Sequence, residues 1–370
     1  MKTLQNIPVV SLTIILAIFL LALAIGRDLA SAQVNNAEEL SAQLDIMLRG
    51  SNFRGTVLVA RGEEVILRAA YGMACDERGI PNAVYSPFHI ASVTKNFTAA
   101  AILLLQAEGL LDVSYTLDNF FVGGDGLENV TVAHLLAMQG GFYDYSEWVF
   151  RNPLISDMQE ALGMTPCELE AYILENFWSG APRCYSAYCN TDYWLLGRIV
   201  EHVSGMPYED FVADRLFAPV GMTNSGFSGM DESVAPHGLP RLYMDGKNLV
   251  DPSNWPFFFA YSTGGLISTI DDLNLWLDAY FGGALFPMYM IDDIRVGVYN
   301  YGWVFADEAI WHHSGGGMPG FSSIIIYDQT SSTRIILLSN SWTGVNRNLV
   351  RAVTDAVLGV PVDGFALPSA

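Results

Sequence analysis

The fold and the candidate chemistry both depend on residues 88–95, which read Phe-His-Ile-Ala-Ser-Val-Thr-Lys. A short apolar run ends there, and a helical pattern begins near Asn96. A serine in the first turn of a helix lies near unpaired backbone N–H groups and the positive end of the helix dipole. Lys95 follows Ser92 by three residues, so it lies one turn further along the same face and can reach the serine oxygen. A desolvated lysine loses its proton more readily and can act as a base.

A structural interpretation competes with this one, because serine is a favoured N-cap and lysine is common on exposed helix faces. The lysine content favours the catalytic interpretation. The chain has three lysines, Lys2, Lys95 and Lys247, and only Lys95 lies inside an apolar helical segment. Residues 97–103 read Phe-Thr-Ala-Ala-Ala-Ile-Leu, which predicts a buried helix. A buried lysine is costly unless it has a task or a partner.

Composition places the chain among folded globular proteins. Of its 370 residues, 51% are hydrophobic and 15% are charged, which argues against disorder and against a fibrous architecture. The length predicts one large two-lobed domain or two domains. The net charge of −21 is spread along the chain rather than gathered in a tail, so it predicts a solvated acidic surface and no nucleic-acid partner.

Residues 1–32 have the pattern of an export signal. Lys2 supplies the charge, residues 7–25 are almost wholly apolar, and Ala30-Ser31-Ala32 has the small-x-small form of a cleavage site. We expect an exported protein, periplasmic or extracellular, whose mature chain begins at Gln33. The alternative is an uncleaved membrane anchor, because the apolar stretch is nearly long enough to span a bilayer. Any membrane attachment is expected only through residues 1–32.

The cysteine content predicts one or two disulfides. An even number of cysteines in an exported chain favours pairing, and four cysteines allow three complete pairings, between which the sequence does not choose. A metal site is disfavoured because neither Cys-x-x-Cys nor His-x-x-x-His spacing occurs. We expect no metal and no cofactor. The four residues are Cys75, Cys167, Cys184 and Cys189.

Apolar periodicity divides the chain into β-rich ends and a helical middle. The predicted elements are a helix at 36–49, strands at 56–60 and 65–69, helices at 96–109, 132–138, 168–177, 192–204 and 270–280, strands at 301–305, 322–327 and 334–339, and a helix at 346–358.

The simplest arrangement of this pattern is an α+β fold. It has an antiparallel sheet, formed by both ends of the chain and flanked by the N- and C-terminal helices. The domain would span 33–370 and carry an all-helical insertion at about 97–300. Ser92 falls at the junction of the two parts, where a cleft would hold a small-molecule or peptide substrate.

Two further motifs make the first one specific. Tyr188-Cys189-Asn190 precedes a helical pattern, and His313-Ser314-Gly315-Gly316 follows a β-rich region. In their order and spacing, the three motifs resemble those of class C serine β-lactamases, D-alanyl-D-alanine carboxypeptidases and family VIII esterases. The resemblance extends over residues 55–338 and implies a serine hydrolase with the β-lactamase/transpeptidase-like, penicillin-binding-protein-like fold. The Gly-x-Ser-x-Gly pentapeptide of α/β-hydrolases is absent from the sequence.

The resemblance implies a role for each motif residue. Ser92 would be the nucleophile that forms an acyl-enzyme, and Lys95 or Tyr188 would be the base that activates it. A cation lowers the pKa of a nearby phenol, so we expect Lys95 and Tyr188 to titrate as a coupled pair. Asn190 would orient the acyl side of the substrate or Lys95.

The third motif would bind the substrate and stabilise its oxyanion. Gly315 and Gly316 would let a strand approach the substrate closely, and the N–H groups of Gly316 and Ser92 would form the oxyanion hole.

His313 departs from the Lys-Thr-Gly motif of the penicillin-hydrolysing relatives. Histidine is mostly neutral at pH 7, so it suits a substrate carboxylate less well than lysine does. We therefore favour a carboxylesterase or D-amino-acid peptidase acting on small esters or amides. A class C type β-lactamase is the alternative, and a non-catalytic cell-envelope binding protein of the same fold is the second. The aromatic run at 255–261 would line an apolar acyl pocket or pack in the core.

Overall fold

The computed structural model describes residues 36–123, 125–146, 164–227, 242–244, 247–250, 260–295, 297–316 and 320–362. The predicted export signal at 1–32 and the aromatic residues 255–259 lie outside these ranges. Within them, no helix combines the length and the apolar character needed to cross a membrane.

The described residues form thirteen strands. In chain order, they are β1 (Gly55–Arg61), β2 (Glu64–Tyr71), β3 (Met73–Cys75), β4 (Ile80–Pro81), β5 (Phe88–His89), β6 (Gly226–Phe227), β7 (Leu242–Met244), β8 (Lys247–Val250), β9 (Leu266–Ser268), β10 (Val304–Phe305), β11 (Ile310–Gly315), β12 (Ser322–Asp328) and β13 (Thr333–Ser339). Six of them form one large antiparallel sheet, whose spatial order is β10-β11-β12-β13-β1-β2. A second, small sheet has the order β5-β9-β6.

The helices lie before, between and after the strands of the large sheet. They are α1 (36–50), α2 (Thr94–Ala107), α3 (Val132–Leu136), α4 (Pro166–Asn176), α5 (Asn190–Ser204), α6 (Tyr208–Val212), α7 (Ala218–Val220), α8 (Tyr261–Gly264), α9 (Ile270–Phe281), α10 (Tyr289–Asp293) and α11 (Arg347–Leu358). One turn of 3-10 helix, Ala91–Val93, leads directly into α2.

The two ends of the chain meet at the β1–β13 pair, whose register runs from Gly55 opposite Ser339 to Arg61 opposite Thr333. Both faces of this pair are covered. Side chains alternate between the faces of a strand. Val57 and Val59 therefore pack toward the terminal helices, whereas Leu58 and Ala60 pack toward the inserted helices. Covering both faces explains why these strands read as continuous apolar runs.

The terminal helices form the outer layer on one face of the sheet. In α1, Leu40, Leu44 and Leu48 recur at a spacing of four residues, so one stripe of the helix is buried. In α11, the side chain of Asn346 caps the helix by accepting a hydrogen bond from the N–H of Leu349 at 3.0 Å. The predicted α+β fold, with its sheet flanked by N- and C-terminal helices, is confirmed.

The inserted region lies on the other face and carries the junction residues. It is mainly helical and also holds the short strands β6–β9. The ring of Phe97 in α2 stacks on that of Trp276 in α9 at 3.9 Å between centroids, which ties the two helices together. The small sheet fixes the entry to α2, because β5 pairs with β9 and the N–H of Ile90 donates to the carbonyl of Leu266 at 3.0 Å.

Two expectations from the sequence are wrong. The strand predicted at 301–305 is confined to Val304–Phe305, because Tyr301 (φ 50°) and Gly302 (φ 89°) form a turn. A Cβ on Gly302 would lie 2.9 Å from the carbonyl oxygen of Lys95, so this turn packs directly against α2.

The expected disulfides do not form, and all four cysteines are free. The two buried thiols have separate partners. The Sγ of Cys75 lies 3.2 Å from Glu77, and that of Cys189 lies 3.4 Å from the carbonyl of Phe142. Cys167 and Cys184 are exposed.

We predict that Gly55→Ala disrupts the joining of the two chain ends. A Cβ at this position would lie 1.8 Å from the carbonyl oxygen of Leu338 in β13. We expect the free energy of unfolding in urea to fall by about 2–3 kcal/mol. Gly50→Ala is the matched control, because nothing lies within 4 Å of its Cβ position. Equal stability of the two variants would contradict the prediction.

Candidate active site

Ser92 lies at the meeting point of the small sheet and α2. It is half-buried and occupies the middle of the 3-10 turn that precedes α2. The preceding residue, Ala91, has a φ of 47°, in the left-handed region that residues with a Cβ rarely adopt. The chain therefore turns sharply at Ser92 before entering the helix.

Lys95 is fully buried, as its position in an apolar helical segment predicted. Its Nζ lies 3.2 Å from Ser92 Oγ, 2.8 Å from Asn190 Oδ1 and 2.7 Å from the carbonyl oxygen of Thr263. Burial removes water from the ammonium group and lowers the pKa of Lys95 to about 7, although the nearby Asp144 opposes this shift. A large fraction of Lys95 is therefore neutral at physiological pH.

Tyr188 lies on the other side of the serine oxygen. Its hydroxyl donates to Ser92 Oγ at 2.7 Å, and Lys95 Nζ lies 5.0 Å from the centroid of its ring. Desolvation raises the pKa of Tyr188, and the hydrogen bond with Ser92 only partly opposes that shift. The pKa of this phenol is therefore raised by desolvation, whereas a lowered pKa was expected for a phenol beside a cation. Tyr188 is also 46% exposed, so it lies at the open side of the site.

The three side chains satisfy one another in a way that suits proton transfer. A neutral amine has two N–H donors and one lone pair. It can donate to Asn190 and Thr263 while it accepts the proton of Ser92, whose oxygen also accepts a hydrogen bond from Tyr188. The arrangement therefore places a near-neutral base and a phenolic proton on either side of one serine oxygen.

Asn190 is the first residue of α5 and is held on both sides of its amide. The Oδ1 atom faces Lys95, and the Nδ2 atom donates to Asp144 Oδ2 at 3.0 Å and to Ser146 Oγ at 2.9 Å. The sequence did not identify Asp144 or Ser146. The only signal was an Asp-x-Ser tripeptide, which is common in turns.

The third motif lies on β11, next to the serine turn. A Cβ on Gly315 would lie 2.1 Å from the carbonyl oxygen of Ile90, so this strand and the turn approach each other closely. Gly316 follows the strand directly, and its role in an oxyanion hole stays a prediction. Gly317 lies outside the described residues.

His313 is buried and faces a tyrosine that the sequence did not identify. Its Nε2 lies 2.9 Å from the hydroxyl of Tyr299. Burial holds the pKa of His313 well below its ordinary value, and the nearby Lys95 and His312 lower it further. The imidazole is therefore neutral at physiological pH. Tyr299 also contacts the ring of Tyr188 edge to face at 6.1 Å, which links the second and third motifs.

The aromatic run at 255–261 is described only at its end. Tyr261 packs against Trp194 and Tyr208, at 5.7 and 4.9 Å between ring centroids. This contact fits the core interpretation for Tyr261, whereas residues 255–259 lie outside the described ranges. Across the described part of the chain, no three His, Cys, Asp or Glu side chains converge as ligands for a metal ion.

Residues 47–358 match the family model described as Beta-lactamase. The chain belongs to the beta-lactamase family. It is a serine hydrolase, in which the motif lysine and the motif tyrosine each lie within hydrogen-bonding distance of the motif serine.

Several known proteins are similar to this chain over most of its length. It is 27% identical over 362 residues to penicillin-binding protein 4* of Bacillus subtilis. The alignment covers 89% of this chain and 78% of the relative. Its fold is similar to that of the D-amino acid amidase of Ochrobactrum anthropi SV3, with a TM-score of 0.72, 23% identity and coverage of 86% of this chain and 99% of the amidase. The octameric penicillin-binding protein homologue of Pyrococcus abyssi has a TM-score of 0.71, 24% identity and coverage of 88% and 78%.

We predict that Lys95→Met changes the pH dependence of stability. Between about pH 7 and pH 10, folded wild-type protein has released a proton that the unfolded chain still binds, so its stability rises with pH. The variant lacks this titration. From pH 7 to pH 9, wild type should gain on the order of 2 kcal/mol of unfolding free energy relative to Lys95→Met in urea titrations. Parallel pH dependences would show that Lys95 keeps an ordinary pKa.

Proposed function

We propose that this protein is an exported hydrolase whose Ser92 forms an acyl-enzyme with small amides or esters of the D-amino-acid type. The observation that supports this most directly is the position of Ser92 Oγ, between Lys95 Nζ at 3.2 Å and the hydroxyl of Tyr188 at 2.7 Å. A serine hydroxyl is a poor nucleophile at neutral pH, and it needs a base of this kind within hydrogen-bonding distance.

Acylation begins with proton transfer from Ser92 to neutral Lys95. Oγ then attacks the substrate carbonyl carbon, and the carbonyl oxygen becomes an oxyanion that the N–H groups of Ser92 and Gly316 would stabilise. Tyr188 lies on the exposed side of the site, where its phenolic proton can pass to the departing amine or alcohol. Acylation leaves Lys95 protonated and Tyr188 as a phenolate. In deacylation the phenolate accepts a proton from the water that attacks the acyl carbon, and Lys95 returns its proton to Ser92 Oγ as the ester bond breaks.

Lys95 is the better of the two candidates for the base. Its pKa of about 7 matches a base that works near neutrality, whereas the pKa of Tyr188 is raised. The phenol therefore keeps its proton at neutral pH and suits the role of an acid toward the leaving group. The two pKa shifts therefore support Lys95 as the base, a choice that the sequence alone left open.

The substrate class follows from the absence of charge at His313. A neutral imidazole that is hydrogen-bonded to Tyr299 offers no fixed cation to a carboxylate beside the reacting bond. Amides and esters that lack this carboxylate fit such a site better than β-lactams or peptides with a free C-terminus. The D-amino acid amidase, whose structure was solved with L-phenylalanine amide, supports an amide as the scissile group.

Two alternatives remain within the same fold. The Bacillus subtilis penicillin-binding protein gives weight to a class C type β-lactamase or a D-alanyl-D-alanine carboxypeptidase. A non-catalytic binding protein of the cell envelope is less consistent with Lys95, because desolvating its ammonium group is unfavourable and a silent site has no need of it. Export rests on the sequence pattern of residues 1–32.

We predict that a fluorophosphonate probe labels the mature protein at Ser92 and that Ser92→Ala is not labelled. The same pair of proteins should be assayed with a D-amino acid amide, a p-nitrophenyl ester, a D-Ala-D-Ala peptide and a chromogenic cephalosporin. We expect turnover of the amide and the ester to exceed that of the two carboxylate-bearing substrates. Labelling of Ser92→Ala would refute the nucleophile, and turnover of the cephalosporin alone would favour the β-lactamase.

We predict an acid limb in the rate of probe labelling. Below about pH 7, Lys95 becomes protonated and cannot accept the serine proton, so the rate should fall roughly tenfold for each pH unit. Tyr188→Phe is the matched variant. It should react more slowly but keep its acid limb at the same pH, because Lys95 is retained. Loss of the limb in Tyr188→Phe would instead identify the phenol as the base.

A further inference from the structure

A closed ring of hydrogen bonds lies directly behind Asn190, on the side away from Lys95. Asp144 Oδ2 accepts from both the backbone N–H and the Nδ2 of Asn190, each at 3.0 Å. Asp144 Oδ1 accepts from the backbone N–H of Ser146 at 2.8 Å and from its hydroxyl at 2.7 Å. Ser146 Oγ in turn accepts from Asn190 Nδ2 at 2.9 Å. Each carboxylate oxygen thus receives two donors.

The segment that carries Asp144 is itself fixed on α5. The N–H of Tyr145 donates to Thr191 Oγ1 at 3.0 Å, and this hydroxyl donates to the carbonyl of Tyr143 at 2.7 Å. The N–H of Tyr143 donates to the carbonyl of Phe177 at 2.8 Å. The carboxylate is therefore held from both flanking residues, and its position relative to Asn190 is set before any substrate binds.

The orientation of the Asn190 amide matters because its two ends are chemically opposite. The oxygen accepts hydrogen bonds, and the nitrogen only donates them. Lys95 has only N–H donors when it is charged, so it requires the oxygen. A rotation of the amide by half a turn would place two N–H groups against the lysine and would remove one of its three acceptors.

We propose that Asp144 is a positioning residue of the acylation site, which fixes the Asn190 amide with its oxygen toward Lys95 and so holds the amine beside Ser92. This inference rests on the proposed function and adds to it a residue outside the three motifs. Only acceptors at the Asp144 side can keep both amide hydrogens turned away from Lys95. A carboxylate there meets that condition, because both of its oxygens act as hydrogen-bond acceptors.

The carboxylate also sets the electrostatic field at Lys95. Asp144 is the largest opposing influence on the lowered pKa of the lysine, with a smaller contribution from the Cys189 thiol. Among the described residues, the amine also faces His313, whose pKa is lowered mainly by burial and further by Lys95, and the rings of Tyr188 and Tyr193, at 5.0 and 6.0 Å from Nζ. All three are neutral near pH 7, so Asp144 is the negative charge that the lysine encounters.

Asp144→Asn keeps the shape of the side chain but turns one acceptor into a donor. If the NH2 group of the substituted side chain faces Asn190, it opposes the Nδ2 donor of Asn190, and the Asn190 amide must rotate by half a turn. If the substituted side chain is rotated instead, its NH2 group faces the N–H of Ser146, which is also a donor. Either way the ring loses an acceptor, and the Asn190 amide is no longer fixed in one orientation.

The test is a double-mutant cycle on the second-order rate of fluorophosphonate labelling, measured from pH 5 to pH 9. Asp144→Asn, Asn190→Ala and the double variant are compared with wild type. We expect Asp144→Asn to lower the plateau rate by about 10- to 100-fold, as for loss of a hydrogen bond to a charged group. The double variant should be no slower than Asn190→Ala, because Asp144 acts through that amide. The acid limb of Asp144→Asn should move to lower pH, because removal of a negative charge favours the neutral amine.

Asp112→Asn is the matched control. Asp112 makes the same contact at the surface, where its Oδ1 accepts from the N–H of a serine two residues later, Ser114, at 2.8 Å. This variant should retain both the wild-type rate and the wild-type acid limb. If Asp144→Asn does not fold, Ser146→Ala tests the same ring, since its hydroxyl bridges Asn190 and Asp144. A smaller loss is then expected, and it should again be absent on an Asn190→Ala background.

The outcomes separate this inference from the proposed function. Labelling of Ser92→Ala refutes the function and this inference with it. If Ser92→Ala is silent but Asp144→Asn keeps the wild-type rate and acid limb, only the inference is refuted. Losses that multiply in the double variant also refute it, because they show that Asp144 only caps α5 or supports the fold. Such a structural role would lower thermal stability without moving the acid limb.

Discussion

The burial of one amine is the constraint on which the rest of the site depends. An ammonium group without water must find acceptors within the protein, and Lys95 takes them from three separate parts of the chain. Ser92 lies one turn before it, Asn190 begins α5, and Thr263 belongs to α8. Three distant segments therefore have to arrive at one point before the lysine is satisfied. The requirement that makes Lys95 a usable base is also the one that assembles the site.

The site lies at the junction of two parts that each bury a core of their own. The large sheet separates the terminal helices from the inserted helices, and the serine turn is fixed between β11 and the small sheet. Gly315 allows that approach because it has no side chain. The site is thus formed by regular secondary structure. Strand β11 lies on one side, the start of α2 on the other, and the hydrogen-bonded start of α5 opposite them.

Local patterns in the sequence predicted much of this arrangement. The β-rich runs at 56–60 and 334–339 predicted strands of an antiparallel sheet, and spacing placed Lys95 within reach of Ser92. The resemblance supplied Tyr188 and Asn190, which lie beside Ser92 and Lys95 in the structure. The sequence did not identify Asp144 or Tyr299, because each lies in an ordinary turn segment. Their partners, Asn190 and His313, lie 46 and 14 residues away in the sequence. The prediction of disulfides was wrong for a related reason. The number of cysteines does not determine which thiols lie close to each other in the fold.

The pairing of β1 with β13 has a consequence for how the molecule comes into being. These two strands are neighbours in the interior of the sheet, yet they lie near opposite ends of the sequence, so their contact is highly non-local. Closing so long a loop is entropically unfavourable and slows folding. During synthesis, one edge of the β1–β2 hairpin has no partner strand until β13 has left the ribosome. The active site therefore matures late, after the whole chain is available, and a nascent chain that still lacks β13 has no finished sheet on which to seat Ser92.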